Sequence, residues 1–161
     1  VHKLLLAYKW RKLRIRVWNN RLQEQFVLLS TRFAPSVVCS LHVSWGPFYG
    51  GSVIADQAIK KIKIFVQIPY DGFLTEDEQS IMKRYRLRRK ELPYFILFHE
   101  FSHLMDALSH LKRESTKEYR HYLISRQHMV KAVADYRKVS FEEQADQFAY
   151  KCILEHFRNA G

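Results

Sequence analysis

Five consecutive residues carry the clearest chemistry in this chain: His99, Glu100, Phe101, Ser102 and His103. Residues four apart on a helix lie one turn above each other on one face, so the imidazoles of His99 and His103 could share a tetrahedral ion at about 2.0 to 2.1 Å each. Glu100 lies beside that face, where its carboxylate can take a proton from water whose pKa a metal lowers toward roughly 7. In a chain with eight histidines the five-residue pattern arises by chance with a likelihood of roughly a few per cent, so its surroundings matter. They are apolar: Phe95, Leu97, Phe98, Phe101, Leu104 and Leu108 are among the residues that make this helix hydrophobic almost all round. Two imidazoles and a carboxylate are costly to bury there unless an ion uses them, which argues against two merely structural histidines.

A catalytic zinc site needs a third protein ligand and an open position for water. The metzincin continuation would put a glycine at position 106 and a third histidine at position 109, but the chain has Asp106 and Ser109, which excludes that class. Further on, Ser140-Phe141-Glu142-Glu143-Gln144-Ala145-Asp146 opens the final helix. Glu142 and Asp146 share one face of it, whereas Glu143 stands at capping-box spacing from Ser140 and is expected to fold back onto its own helix terminus. Glu142, Glu143 and Asp146 all stand as candidates for the third ligand. Asp106, one turn beyond His103, reads as an acid that supports the site from the same helix more readily than as a ligand.

His99 and His103 followed by Glu142 and Asp146 resemble the gluzincin arrangement of metallopeptidases. The run from Glu142 to Ala149 is also similar to the second motif of the ImmA/IrrE-type peptidases, compact intracellular enzymes of bacteria and their mobile elements; the likeness covers the two motifs alone. The resemblance implies a zincin-like fold and a Zn2+ ion held by His99, His103 and Glu142, with Asp146 behind a ligand histidine to fix its tautomer and orientation. It implies a zinc-dependent endopeptidase in which Glu100 activates water and then protonates the leaving amine. Repressor cleavage, a regulatory activity, is among those it implies. An edge strand commonly lies beside the active-site helix of zincins and pairs with extended substrate; residues 62–68 resemble that strand. For the group that stabilises the oxyanion, the candidates are His121, Tyr122, His128 and Tyr136.

The elements that must position these residues follow from periodicity. Apolar residues from Leu6 to Leu29 recur at mostly helical intervals, predicting an amphipathic helix over 3–31, broken near Asn19-Asn20 and ended by Pro35. Residues 37–45 and 62–68 alternate as strands do, with a loop through Gly46-Pro47 and Gly50-Gly51 between them. Thr75 and Glu78 have capping-box spacing and open a helix expected to reach Glu91, after which Pro93 suits the first turn of the next. A polar helix over 115–136 and a final one over 140–157 complete an α+β pattern: a small mixed or antiparallel sheet, a central motif-bearing helix and a helical C-terminal part. At 161 residues with 47% hydrophobic composition, the chain reads as one domain over 1–161.

The formal charge of +11 is clustered. Lys3 to Arg21 contains seven cations and no acid, and a second cluster runs from Lys83 to Lys90. Such a field attracts nucleic acid, acidic protein or a membrane surface. A nucleic-acid-associated regulatory protein is thus a competing reading of the fold, and a catalytically silent zinc-stabilised module is another. Two isolated cysteines, Cys39 and Cys152, suggest neither a disulfide framework nor a thiolate metal site, and reduced thiols point to an intracellular, cytoplasmic setting. No stretch is long and apolar enough for a transmembrane segment or a signal peptide.

Overall fold

In the computed structural model, which describes residues 2–55, 60–111, 115–132 and 136–158, the first element is one unbroken helix, α1 (His2–Phe33). The break expected at Asn19-Asn20 does not occur. Trp18 packs edge-on against Tyr94 on one side of the pair, and the buried Leu22 holds the other, so tertiary packing overrides the weak helix propensity of asparagine. Leu22, Phe26 and Leu29 bury one face. The helix stops where Ala34 takes φ +42° and donates its N–H to Ser30 O at 2.9 Å, with Pro35 unable to continue it.

Three strands follow: β1 (Val38–Gly46), β2 (Gly50–Ala55) and β3 (Lys61–Pro69). They form a mixed sheet in the order β1-β3-β2, with β1 parallel and β2 antiparallel to β3. The alternation read in β3 holds, since Ile62, Ile64, Val66 and Ile68 are all buried. Its place in the sheet is different from expectation: β3 is central, hydrogen-bonded on both sides, and has no edge to offer a substrate. The free edge beside the motif helix belongs to β2, whose Gly50-Gly51 opening reads locally as a loop.

Thr75 caps α2 (Glu76–Arg84) with the expected box, Thr75 N donating to Glu78 Oε2 at 2.5 Å and Glu78 N to Thr75 Oγ1 at 3.5 Å. The helix ends at Arg84 rather than near Glu91, because Arg86 takes φ +51° and turns the chain into a 3-10 turn at Arg89–Glu91. Three of the six cations in the second basic cluster make contacts within the chain. Arg84 pairs with Glu143 at 2.7 Å, Arg88 with the buried Glu91 at 2.6 Å, and Arg89 donates to Gly72 O. Burial works against the Glu91 carboxylate, but the donors of Arg88 and Arg158 outweigh it and hold its pKa below the usual range.

The turn feeds α3 (Leu92–Leu111), whose Phe95, Leu97, Phe98, Phe101 and Leu104 are at most 1% exposed, as the all-round apolar pattern requires. Helices α4 (Thr116–Ala132) and α5 (Ser140–Phe157) complete an α+β architecture dominated by helices, with Tyr136–Lys138 as a 3-10 turn before α5. Among the described residues, no helix is long and apolar enough to cross a membrane. Cys39 and Cys152 form no disulfide, and burial pushes the Cys152 thiol up to about 11.

Candidate metal centre

Helix α3 carries His99, Glu100 and His103 into the space between β2 and the start of α5. Its almost complete burial fixes the rotation of that face, and α5 packs along it with Ala145 and Ala149 fully buried, small enough to let the two backbones approach. This brings Glu142 and Asp146, one turn apart, opposite the histidines.

Three ligand atoms converge. His99 Nε2 lies 3.0 Å from His103 Nε2 and 3.1 Å from Glu142 Oε2, and His103 Nε2 lies 3.4 Å from that same oxygen. A tetrahedral ion with bonds of about 2.0 to 2.1 Å separates neighbouring ligand atoms by about 3.3 Å, so the triangle has the dimensions of one tetrahedral face. These residues form the group that could hold a metal ion among those described. The donor set fits for a second reason. His99 Nδ1 lies 2.8 Å from Asp146 Oδ1, so in the neutral ring Nδ1 donates to that carboxylate and Nε2 is the lone pair aimed at the ligand triangle.

Asp146 is fully buried and its Oδ1 also accepts from Arg137 at 2.9 Å; Arg137 in turn pairs with Asp77 at 3.1 Å. Asp146 is therefore held between the Arg137 guanidinium and the histidine. Burial disfavours the His99 cation, but the hydrogen bonds from Asp146 and Glu142 outweigh that and raise its pKa to about 9. Burial likewise works against the Glu142 carboxylate, and the two histidines more than reverse it, holding it well below the usual carboxylate range.

Glu100 is buried too, and behaves oppositely. Loss of solvent raises its pKa; the nearby His99 and His103 pull it down, and the Glu142 charge adds to the rise. Its carboxylate lies directly against the backbone of β2. A Cβ on Gly51 would meet it, 2.6 Å from Glu100 Cγ and 2.8 Å from Cδ, so only glycine permits this approach.

One expected role is changed, and another is met only at one remove. Glu143 does not fold back to cap α5; the helix starts from Val139 with no side-chain cap, and Glu143 points away to Arg84. Asp106 does not touch the ligand histidines. It accepts from Arg126 of α4 at 2.5 Å, and Arg126 NH2 stands 3.4 Å from His103 Nδ1 while its guanidinium lies 3.8 Å from the Phe141 ring centroid. Arg126 and Arg137 both escape a reading of the sequence, since the groups they meet are distant along the chain and no local spacing announces them. Of the oxyanion candidates, His121 and His128 are exposed on α4, and the side chains of Tyr122 and Tyr136 lie outside the described residues.

No protein-family model, curated protein or solved structure matches this chain. The geometry therefore stands alone. Two clefts meet at the ligand group, sharing Val53, Glu100, His103 and Glu142. The first, about 580 Å3, extends over Ala55, Tyr119 and Phe141 to Arg126 and Lys131. The second, about 530 Å3, extends past Gly50 and Tyr49 to Asp77 and Arg137. One lies toward the end of β2 and the other toward its start, so together they form a groove along the strand.

Proposed function

We propose that this chain is a zinc-dependent peptidase of the gluzincin type, zincin-like in fold and similar to the ImmA/IrrE-type enzymes, acting on protein or peptide substrates. The observation that carries the reading is the ligand triangle of His99, His103 and Glu142 with the buried carboxylate of Glu100 beside it. Two imidazoles and one carboxylate are a donor set suited to zinc and leave a position open. When bound, the ion supplies Lewis acidity toward a carbonyl and toward water.

The remaining work belongs to the chain. Glu100, its pKa raised by burial, takes the proton of the attacking water and returns it to the leaving amine. Asp146 holds His99 in the tautomer that presents Nε2, and Arg137 holds Asp146. An extended peptide adds to the free edge of β2 by main-chain hydrogen bonds, which carries it past Glu100 and places alternate side chains in the two clefts. Gly51 supports this arrangement because it lets strand and base meet. A silent zinc-stabilised module has no use for a buried, partner-poor carboxylate next to its ligands, and such burial is costly. The nucleic-acid reading loses part of its support from the second basic cluster, because Arg84, Arg88 and Arg89 are engaged in contacts within the chain.

The test is Glu100→Gln. The variant should keep one zinc per chain and lose peptide hydrolysis by at least about a hundredfold, the usual contribution of a general base. Undiminished hydrolysis by the zinc-loaded variant would remove Glu100 from the mechanism.

A further inference from the structure

The apolar residues of α1 include one buried group and several exposed ones. Leu22, Phe26 and Leu29, in its C-terminal half, face the core. In the N-terminal half Leu6, Trp10, Leu13 and Val17 recur at intervals of four, three and four. At about 100° per residue they occupy a stripe roughly 60° wide, turned roughly 160° from the buried face. All four are exposed: Leu6 by 53%, Trp10 by 69%, Leu13 by 52% and Val17 by 40%.

Cations border this stripe on both sides, Lys9 and Arg16 along one and Arg14 and Arg21 along the other, and the first acid of the chain is Glu24. Trp10, Leu13 and Val17 also line a shallow groove of about 420 Å3 against Tyr70. At its margins Arg11 lies 5.6 Å over the Tyr70 ring and Arg14 lies 5.9 Å over Trp45. An exposed apolar stripe containing tryptophan, with cations on both sides, further exposed apolar side chains such as Leu5 and Tyr8, and no acid, suits a helix that lies against a lipid interface.

We propose that the N-terminal half of α1, residues 4–21, is an in-plane anchor for an anionic lipid surface. Acidic headgroups neutralise the flanking cations while the four apolar side chains enter the acyl boundary, so one partner satisfies both features. A second copy of the chain does not. Packing two stripes together sets flanking cations against cations with no acid to offset them. Nucleic acid would engage the cations but leave Leu6, Leu13 and Val17 in water. The inference rests on α1 and is independent of the metal centre.

The experiment is co-sedimentation of the full chain with phosphatidylglycerol-rich vesicles and with pure phosphatidylcholine vesicles, alongside binding to a DNA duplex and the elution volume on size exclusion. Partition into the anionic vesicles alone is expected. Trp10→Ser with Leu13→Ser should reduce it on the order of a hundredfold, and Lys9→Gln with Arg16→Gln by about fivefold per cation. These side chains are exposed, so circular dichroism and Tm should match the parent; the second pair provides an independent reading should the first alter the helix. Four outcomes would overturn the proposal: no partition, partition unaffected by the apolar substitutions, tighter binding to DNA than to vesicles, or a dimer that the apolar substitutions dissolve.

Discussion

Gly51→Ala is a one-carbon change on a strand that holds no proposed ligand, and it should nevertheless disable the chemistry. The added Cβ would stand 2.6 Å from Glu100 Cγ and 2.8 Å from Cδ, where ordinary contact begins at 3.4 Å. Glu100 is only 8% exposed, with α3 buried behind it, so it cannot swing into solvent and must shift by roughly 0.8 Å. Misplacing a reacting group by 1 Å costs about a hundredfold, so a loss of about ten- to a hundredfold in kcat/KM is expected. Overpacking adds a stability cost of about 1–3 kcal/mol, readable as a lower Tm. Glu100 is not a ligand, so zinc content should be unchanged. The assay is kcat/KM on a quenched-fluorescent peptide cleaved by the parent, with zinc measured on the same preparation. Full activity at full zinc occupancy would refute the placement of the base against β2.

Asp146→Asn should weaken zinc binding by about ten- to a hundredfold, as loss of the acid behind a ligand histidine typically does, in competition with a chromogenic chelator; an unchanged affinity would detach Asp146 from the site. The pKa of His99 in the metal-free protein, about 9, sets a sign for pH dependence. Binding must expel the His99 proton, so the apparent zinc affinity should rise by up to about tenfold per pH unit between pH 6 and 8, and a flat or falling profile contradicts the assignment. For folding the sign is reversed: a pKa raised above its unfolded value stabilises the metal-free protein below about pH 6.5 and the benefit is lost as pH rises through 9, so its Tm should fall over that interval.

The parts of this site that follow helical spacing were legible. His99 and His103 are a turn apart on one helix, and Glu142 and Asp146 a turn apart on another, so each pair had only to face the other. What escaped depends on contacts far along the chain. Ser140 and Glu143 have the same spacing as Thr75 and Glu78, yet only Thr75 caps its helix, because Glu143 finds Arg84 fifty-nine residues away. The strand β2 was hidden by Gly50 and Gly51, residues that ordinarily mark a loop; here Gly51 lets the backbone pass close to the Glu100 side chain. Alternation identified β3 as a half-buried strand but says nothing of strand order, so its central position had to come from the pairing. Arg126 and Arg137 looked like ordinary cations of polar segments until Asp106 and Asp146 met them.

The central claim is that His99, His103 and Glu142 hold one zinc ion. Metal analysis of the purified parent, Glu142→Ala and Glu143→Ala tests it directly. The account predicts one zinc per chain in the parent and in Glu143→Ala, with zinc lost from Glu142→Ala. A parent without stoichiometric zinc, or a Glu143→Ala protein that alone loses it, would contradict the account.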